Sequence, residues 1–430
     1  MKLLTKQQLL NRYLLHSLLG AWLATTLAFP AQASLTMFNL NANEGSFPSY
    51  LTPFKDKLYF TANDGSNGTE LWVSDNTTAS ITMLKDIRLG DLSSFPFHLT
   101  AFNDRLYFQA NDGNHSEELW ISDGTAVGTK MLKDINPDGP SHASEFTVFN
   151  DKLFFTADDG SHGAELWVSD GTAAGTAMLK DIRADGGSSP TDLIVLNDSL
   201  YFAANDGSHG YELWVSDGTA TGTTILVDIM PSENESSSPS HLAAFNNKLY
   251  FAANDDTHGT ELWVSDGTAA GTTLLRDLNP IGDSYPSKFT VVNETLYFSA
   301  SDDKKGYELW GSDGTAAGTK MLKDINSGVG SGSPSQLTAF NGMLYFSAFD
   351  EGHGRELWGS DGTTTGTIML NDINSAEASS RPEYLTVVSD TLYFRANDGI
   401  NGYELWALGA LQLKQAPVPT AIEVIAQATH

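Results

Sequence analysis

Glu118-Leu119-Trp120-Ile121-Ser122-Asp123-Gly124-Thr125 is one of eight versions of the same stretch in a chain of 430 residues. The tryptophans that end the Glu-Leu-Trp triplet are Trp72, Trp120, Trp167, Trp214, Trp263, Trp310, Trp358 and Trp406. They follow one another at intervals of 47 to 49 residues. A repeat of that length with turn residues at fixed offsets denotes a propeller blade or a solenoid turn, because one unit cannot bury its own apolar faces without neighbours.

Residues 144–182 serve as the pattern unit. Four short strands are read there: 146–149, 152–157, 165–169 and 177–182. The Asn150-Asp151 pair between the first two is a tight-hairpin signal, since both residues tolerate positive φ. It recurs at Asn103-Asp104, Asn197-Asp198 and Asn246-Asn247, and as Asn341-Gly342. Strand two is Leu-Tyr-Phe in most units and Leu-Phe-Phe at 153–155, the aromatic content of a sheet buried on both faces. After Trp406 the eighth unit lacks both the Ser-Asp-Gly-Thr turn and a fourth strand, whereas the chain offers an orphan strand near its start. Residues 36–41 align with 321–326, a fourth strand. The expected fold is therefore all-β: an eight-bladed β-propeller of four-stranded antiparallel blades, its ring closed by residues 35–41 pairing into the last blade. Closure would remove exposed sheet edges. An open solenoid is the alternative, because periodicity alone does not force a ring.

The motif at 118–125 resembles the ELWxxDGT repeat found in tandem in exported bacterial proteins, and the resemblance covers residues 35–408. Six units keep all the named positions; unit one has Asn76 in place of Gly, and unit eight keeps only the triplet. The resemblance implies a β-propeller-like extracellular or periplasmic repeat protein and supplies no chemistry.

Lys2, Lys6 and Arg12 precede an apolar stretch from Leu14 to Phe29, and Ala31-Gln32-Ala33 gives a small-x-small cleavage pattern. This reads as a signal peptide, residues 1–33, ahead of a propeller at 34–410 and a tail at 411–430. Nothing after residue 34 approaches about 20 consecutive apolar residues, so no membrane span is expected. Cysteine is absent, which leaves stability to burial across repeat interfaces. The formal net charge of −29 becomes three units more negative once the leader is removed. Nucleic acid is excluded as a partner, since phosphate contacts need Lys and Arg clusters.

Each unit carries an Asp and a Glu six residues apart: Asp64 with Glu70, Asp112 with Glu118, Asp159 with Glu165, Asp206 with Glu212, Asp255 with Glu261, Asp302 with Glu308, Asp350 with Glu356, and Asp398 with Glu404. Carboxylates and turn carbonyls in one place are candidate Ca²⁺ ligands, although the alternating spacing of the common calcium loops is missing. The competing and preferred reading is structural: Asp satisfies backbone N–H groups of its turn while Glu hydrogen-bonds the neighbouring blade. The Ser-Asp-Gly-Thr turn reads as a hairpin cap. His115, His162, His209, His258 and His353 share one turn position and read as solvated turn residues, because equivalent positions on successive blades lie too far apart to share a metal.

No nucleophile, base and orienting partner can be assembled from the departures between units, and no cofactor fingerprint is present. Strand one, read from Leu99-Thr100-Ala101-Phe102 and Leu337-Thr338-Ala339-Phe340, offers the channel mainly threonine. The expectation is a monomeric, non-catalytic exported scaffold that binds a protein or glycan through the face bearing the second-to-third strand turns and the linkers between blades, with Ca²⁺ as a candidate aid. The alternative is a periplasmic or secreted glycan-active hydrolase or lyase using the central channel.

Overall fold

A computed structural model describes residues 35–41, 43–75, 81–232, 235–375 and 378–409. The expected leader and tail, and Asn76, lie outside the described residues. Alternating apolar residues and left-handed hairpin turns build each blade. Asn150 and Asp151, both at positive φ (48° and 54°), turn strand one (Ser144–Phe149) into strand two (Lys152–Asp158). Strand three (Ala164–Ser169) and strand four (Ala177–Lys180) complete the sheet in the order one-two-three-four. Seven sheets are built this way, and the eighth takes its outer strand from the other end of the chain.

That outer strand is Leu35–Phe38, antiparallel to Tyr403–Gly409 of the last blade, with Met37 opposite Trp406 and Phe38 opposite Leu405. In the other blades the same tryptophan faces a methionine or its equivalent, as Trp310 faces Met321, but a bulge follows. The closing strand pairs without that bulge, so the stretch from Met37 to Leu40 is one residue shorter than that from Met321 to Ile325. Met37 therefore corresponds to Met321, one position from the sequence alignment, which is recovered by Leu40 and Ile325. Strand one of every blade packs on strand one of the next, and Glu383–Val388 packs on Ser49–Phe54, so the ring is closed rather than an open solenoid.

The core lies in the seams between blades. Leu51, Leu58, Phe60 and Trp72 of blade one pack with Val388, Tyr393, Leu405 and Ala407 of blade eight, and equivalent clusters fill the other seams. Burying one such Phe or Leu is worth about 1.5–3 kcal/mol, which compensates for the missing disulfides. Polar staples cross the same seams. Lys85, Lys133 and Lys180 at the end of strand four donate to the carbonyls of Thr129, Thr176 and Thr223 in the following blade, at 2.5–2.6 Å. Their ammonium groups lie about 6 Å from the next tryptophan ring, within cation–π reach. Nearer the axis, the hydroxyls of Thr52, Thr147, Thr290 and Thr338 donate to the next inner strand, and Thr386 closes the circle onto Leu51 O at 3.1 Å.

Candidate functional site

The paired carboxylates go separate ways. Every Asp of the series sits in the turn between strands two and three, or in the case of Asp350 at the strand end that opens it, where its Oδ1 accepts the N–H groups two and three residues on, at 2.7–3.1 Å. Every Glu lies on strand three with no exposed surface. Its Oε2 accepts the N–H of the residue that leaves strand four: Ile87 for Glu70, Ile135 for Glu118, Ile182 for Glu165 and Ile229 for Glu212. Leu278, Ile325, Ile373 and Leu40 do the same for Glu261, Glu308, Glu356 and Glu404. In six units a serine hydroxyl at the start of the next blade also donates, at 2.5–2.7 Å, as Ser94 does to Glu70 and Ser46 to Glu404. The Glu thus clamps both ends of the linker between blades. Burial without a cationic partner pushes Glu70, Glu118, Glu261 and Glu308 up to about 7, against the pull of those donors.

These contacts engage most of the paired carboxylates within the chain, although Glu118 Oε1 is buried without a partner. A Ca²⁺ site needs six to eight oxygens converging on one point, whereas here one carboxylate faces its turn and the other the sheet interior. Among the described residues no group of three or more His, Asp or Glu is placed to hold a metal. The five turn histidines each set Nδ1 at 2.8–3.1 Å from the Asp of their own turn. Asn67 and Asn401 make the same contact through Nδ2, so the imidazole duplicates what an amide does in units one and eight.

The Ser-Asp-Gly-Thr turn is capped by its own side chains. Asp123 Oδ1 accepts the Thr125 N–H and hydroxyl, Ser122 Oγ accepts Gly124 N–H, and Thr129 donates to Thr125 O. Gly124 has φ +93°, and a Cβ there would lie 2.6 Å from the Tyr59 hydroxyl of the preceding blade, so both conformation and seam packing require glycine.

The channel differs from the sequence expectation. Strand one begins two residues earlier than expected, at Ser144 in the pattern unit, and its second residue is held left-handed by a bulge. Around the ring these residues are Tyr50, His98, Glu145, Asp192, His241, Lys288, Gln336 and Tyr384, all with φ of 52–60°. A second left-handed ring stands three residues upstream, just before a proline in seven units: Phe47, Phe95, His142, Ser189, Ser238, Tyr285, Ser333 and Arg381, with φ of 43–50°. Both rings lie at the linker end of the channel, tied by bonds such as Phe47 N–H to Tyr403 O and Asn63 N–H to Ser46 O. Strand one therefore brings the channel acids, imidazoles and aromatics as well as threonine, while the threonines serve as seam staples.

The mouth is chemically one-sided. Tyr384, Tyr50, Phe97 and Phe95 form an arc across blades eight, one and two, with successive ring centroids 5.6, 5.2 and 5.8 Å apart. Phe47 and Phe95 are 51% and 44% exposed, in a chain whose other phenylalanines mostly fill seams. Glu145 and Asp192 follow on blades three and four, where Glu145 Oε2 accepts the Asp192 N–H at 2.9 Å. Burial raises Glu145 above the ordinary carboxyl value. Desolvation in the channel pulls His98 and His241 below the usual imidazole value, with Asp192 opposing and Lys288 assisting at His241. A cavity of about 380 Å³ opens between Tyr50, His98 and Glu145, floored by Thr52, Thr100, Thr147 and Leu193.

No protein-family model and no curated protein matches the chain. Among solved structures, one from an analysis of two prolyl endopeptidases is 10% identical with a TM-score of 0.53, covering 84% of this chain and 55% of that one. A puromycin hydrolase is 12% identical with a TM-score of 0.47, covering 83% of this chain and 59% of its own. Prolyl oligopeptidase B from Galerina marginata is 11% identical, at 0.49, with 84% and 56% covered. The chain thus spans little more than half the length of these structures. At such identities the likeness concerns the fold alone. No helix among the described residues is long and apolar enough to cross a membrane.

Proposed function

We propose that this chain is a non-catalytic, exported binding propeller of the ELWxxDGT-repeat kind, acting as a monomer, which holds a glycan or protein partner at the linker-end mouth of its channel. One observation carries the reading. Sixteen residues in the two rings adopt a left-handed conformation that costs a non-glycine residue on the order of 1 kcal/mol, and none of them is glycine. Elsewhere the chain uses glycine freely for positive φ, as at Gly65, Gly124 and Gly160. A scaffold that retains side chains at strained positions, and varies them around an otherwise eightfold repeat, is presenting those side chains to something.

A second reading rests on Glu145 and Asp192. Two carboxyl groups on adjacent inner strands, one favoured in its protonated form by burial, are the equipment of acid-assisted glycoside hydrolysis. One experiment separates the two. The protein and a variant with Phe47, Tyr50, Phe95 and Tyr384 all changed to serine are incubated with a panel of cell-envelope and extracellular polysaccharides, and both retention and reducing-end release are measured. Binding without release, lost in the variant, is the expected result. Release that disappears in Glu145→Gln and Asp192→Asn would establish the hydrolase instead.

A further inference from the structure

The cavity between blades one and three has a more specific chemistry than the mouth as a whole. Tyr50 forms one wall. Its backbone is fixed at φ 52°, and its ring is wedged between Phe97 at 5.2 Å, Tyr384 at 5.6 Å and the His98 imidazole at 5.5 Å. It is a rigid flat surface rather than a mobile side chain. The rest of the lining is mixed: the polar groups are three threonines, the His98 imidazole beside Tyr50 and the Glu145 carboxyl group, set among leucines and Phe146. The threonines are not equivalent. Thr52 and Thr147 donate to the next inner strand, at 3.2 and 3.0 Å, whereas the Thr100 hydroxyl turns back to His98 O at 3.4 Å, too long to be a strong bond. The staple that joins most other inner strands is therefore absent between blades two and three, where the cavity opens.

The lining excludes most ligand classes. No Lys or Arg borders the cavity, so nothing compensates a phosphate, sulfate or carboxylate brought into it. An ammonium ligand requires a free carboxylate, and Glu145 already spends Oε2 on the Asp192 N–H. A purely apolar ligand would leave the threonine, imidazole and carboxyl groups without partners. The remaining fit is a molecule with a flat C–H face for Tyr50 and several neutral hydroxyls for those polar groups.

We infer that this cavity is a subsite for one neutral sugar residue of a glycan, stacked on Tyr50 and hydrogen-bonded by Thr100, His98 and Glu145. The assignment rests on the binding reading above and narrows it. A volume of about 380 Å³ falls at the lower end of the range for small-molecule pockets, enough for one ring and the start of its linkage. The open channel above leaves the rest of the chain free to run along the aromatic arc. Glu145→Gln spares the fold, because Gln336 makes the same contact in blade seven, where its Oε1 accepts the Tyr384 N–H at 2.9 Å.

Saturation-transfer NMR and titration calorimetry with glucose, galactose, mannose, glucosamine and glucuronate test it. At least one neutral hexose binds saturably, with glucosamine and glucuronate at least tenfold weaker. Tyr50→Ala weakens the neutral sugar at least tenfold with its circular dichroism unchanged, Glu145→Gln weakens it by a smaller factor, and Lys130→Ala, on an exposed outer strand, has no effect. Failure of every neutral hexose to bind, binding indifferent to Tyr50→Ala, or a preference for glucosamine would each overturn the subsite. If the serine variant described above still loses a polymer or protein partner that the native chain retains, the sugar assignment alone falls and the channel-mouth reading stands.

Discussion

At the scale of single residues, two carboxylates six positions apart in every unit do work of different weight. Asp206 closes an exposed turn through two N–H groups, while Glu212 is fully buried and receives the Ile229 N–H, the Ser237 N–H and the Ser237 hydroxyl. Removing Glu212 leaves three buried donors unsatisfied, at roughly 1–3 kcal/mol each before relaxation. Glu212→Ala should lower stability by about 3 kcal/mol or more and Asp206→Ala by about 1 kcal/mol, read from urea-denaturation midpoints. Equal effects would mean that the clamp has been misassigned. Because both groups are already engaged within the protein, millimolar Ca²⁺ after EDTA should leave the melting temperature where Mg²⁺ leaves it. A Ca²⁺-specific rise that grows with concentration would return the pairs to the status of ion sites.

At the scale of elements, the strand most exposed to chance is Leu35–Phe38, which pairs with a partner more than 360 residues away. Three bonds from Leu40 and Ser46 to Glu404 hold the chain that follows it. Deleting residues 35–41 should leave the edge of Tyr403–Gly409 open, and light scattering should then show concentration-dependent association that the intact chain does not. This closure was legible in the sequence, because an eighth unit lacking a fourth strand and an orphan strand at the start fit only one way. Its register was less legible: a bulge in the regular blades, absent from the closing strand, displaces Met37 by one place, and bulges leave no fixed mark in composition. The mouth was missed for a related reason. Apolar alternation announces a strand only where it begins, so in sequence Phe146 reads as the first residue of its strand and Glu145 reads as linker. The usual residue signals of positive φ, glycine and asparagine, are absent from both rings. The signal that could have found them is variation: Tyr, His, Glu, Asp, His, Lys, Gln and Tyr at one offset in a chain that otherwise repeats itself.

At the scale of the whole molecule, eight buried glutamates make stability depend on pH. Their folded-state values lie above the ordinary carboxyl value, chiefly through desolvation, so the folded chain holds protons that the unfolded chain has released. That contribution is complete below the ordinary carboxyl value and is lost as pH rises through the raised one. For the four groups raised to about 7 it is on the order of 3 kcal/mol each. The turn histidines, raised by their aspartates, act in the same direction, losing their contribution as pH rises past the ordinary imidazole value. In most of the turns the aspartate is shifted the other way. Desolvation opposes the shift, but backbone N–H donors outweigh it, so their contribution is lost only in stronger acid. Calorimetry should therefore give a higher melting temperature at pH 5 than at pH 8. A flat profile over that interval would show that the buried glutamates are ionised throughout.

The unbulged pairing of Met37 with Trp406 also imposes an order of events. Leu35–Phe38 and its partner Tyr403–Gly409 stand at opposite ends of the ring's sequence, so neither can pair until the blades between them have been made. A chain cut short of Tyr403 leaves that strand with nothing to zip against, and the loss of one seam then opens the whole circle.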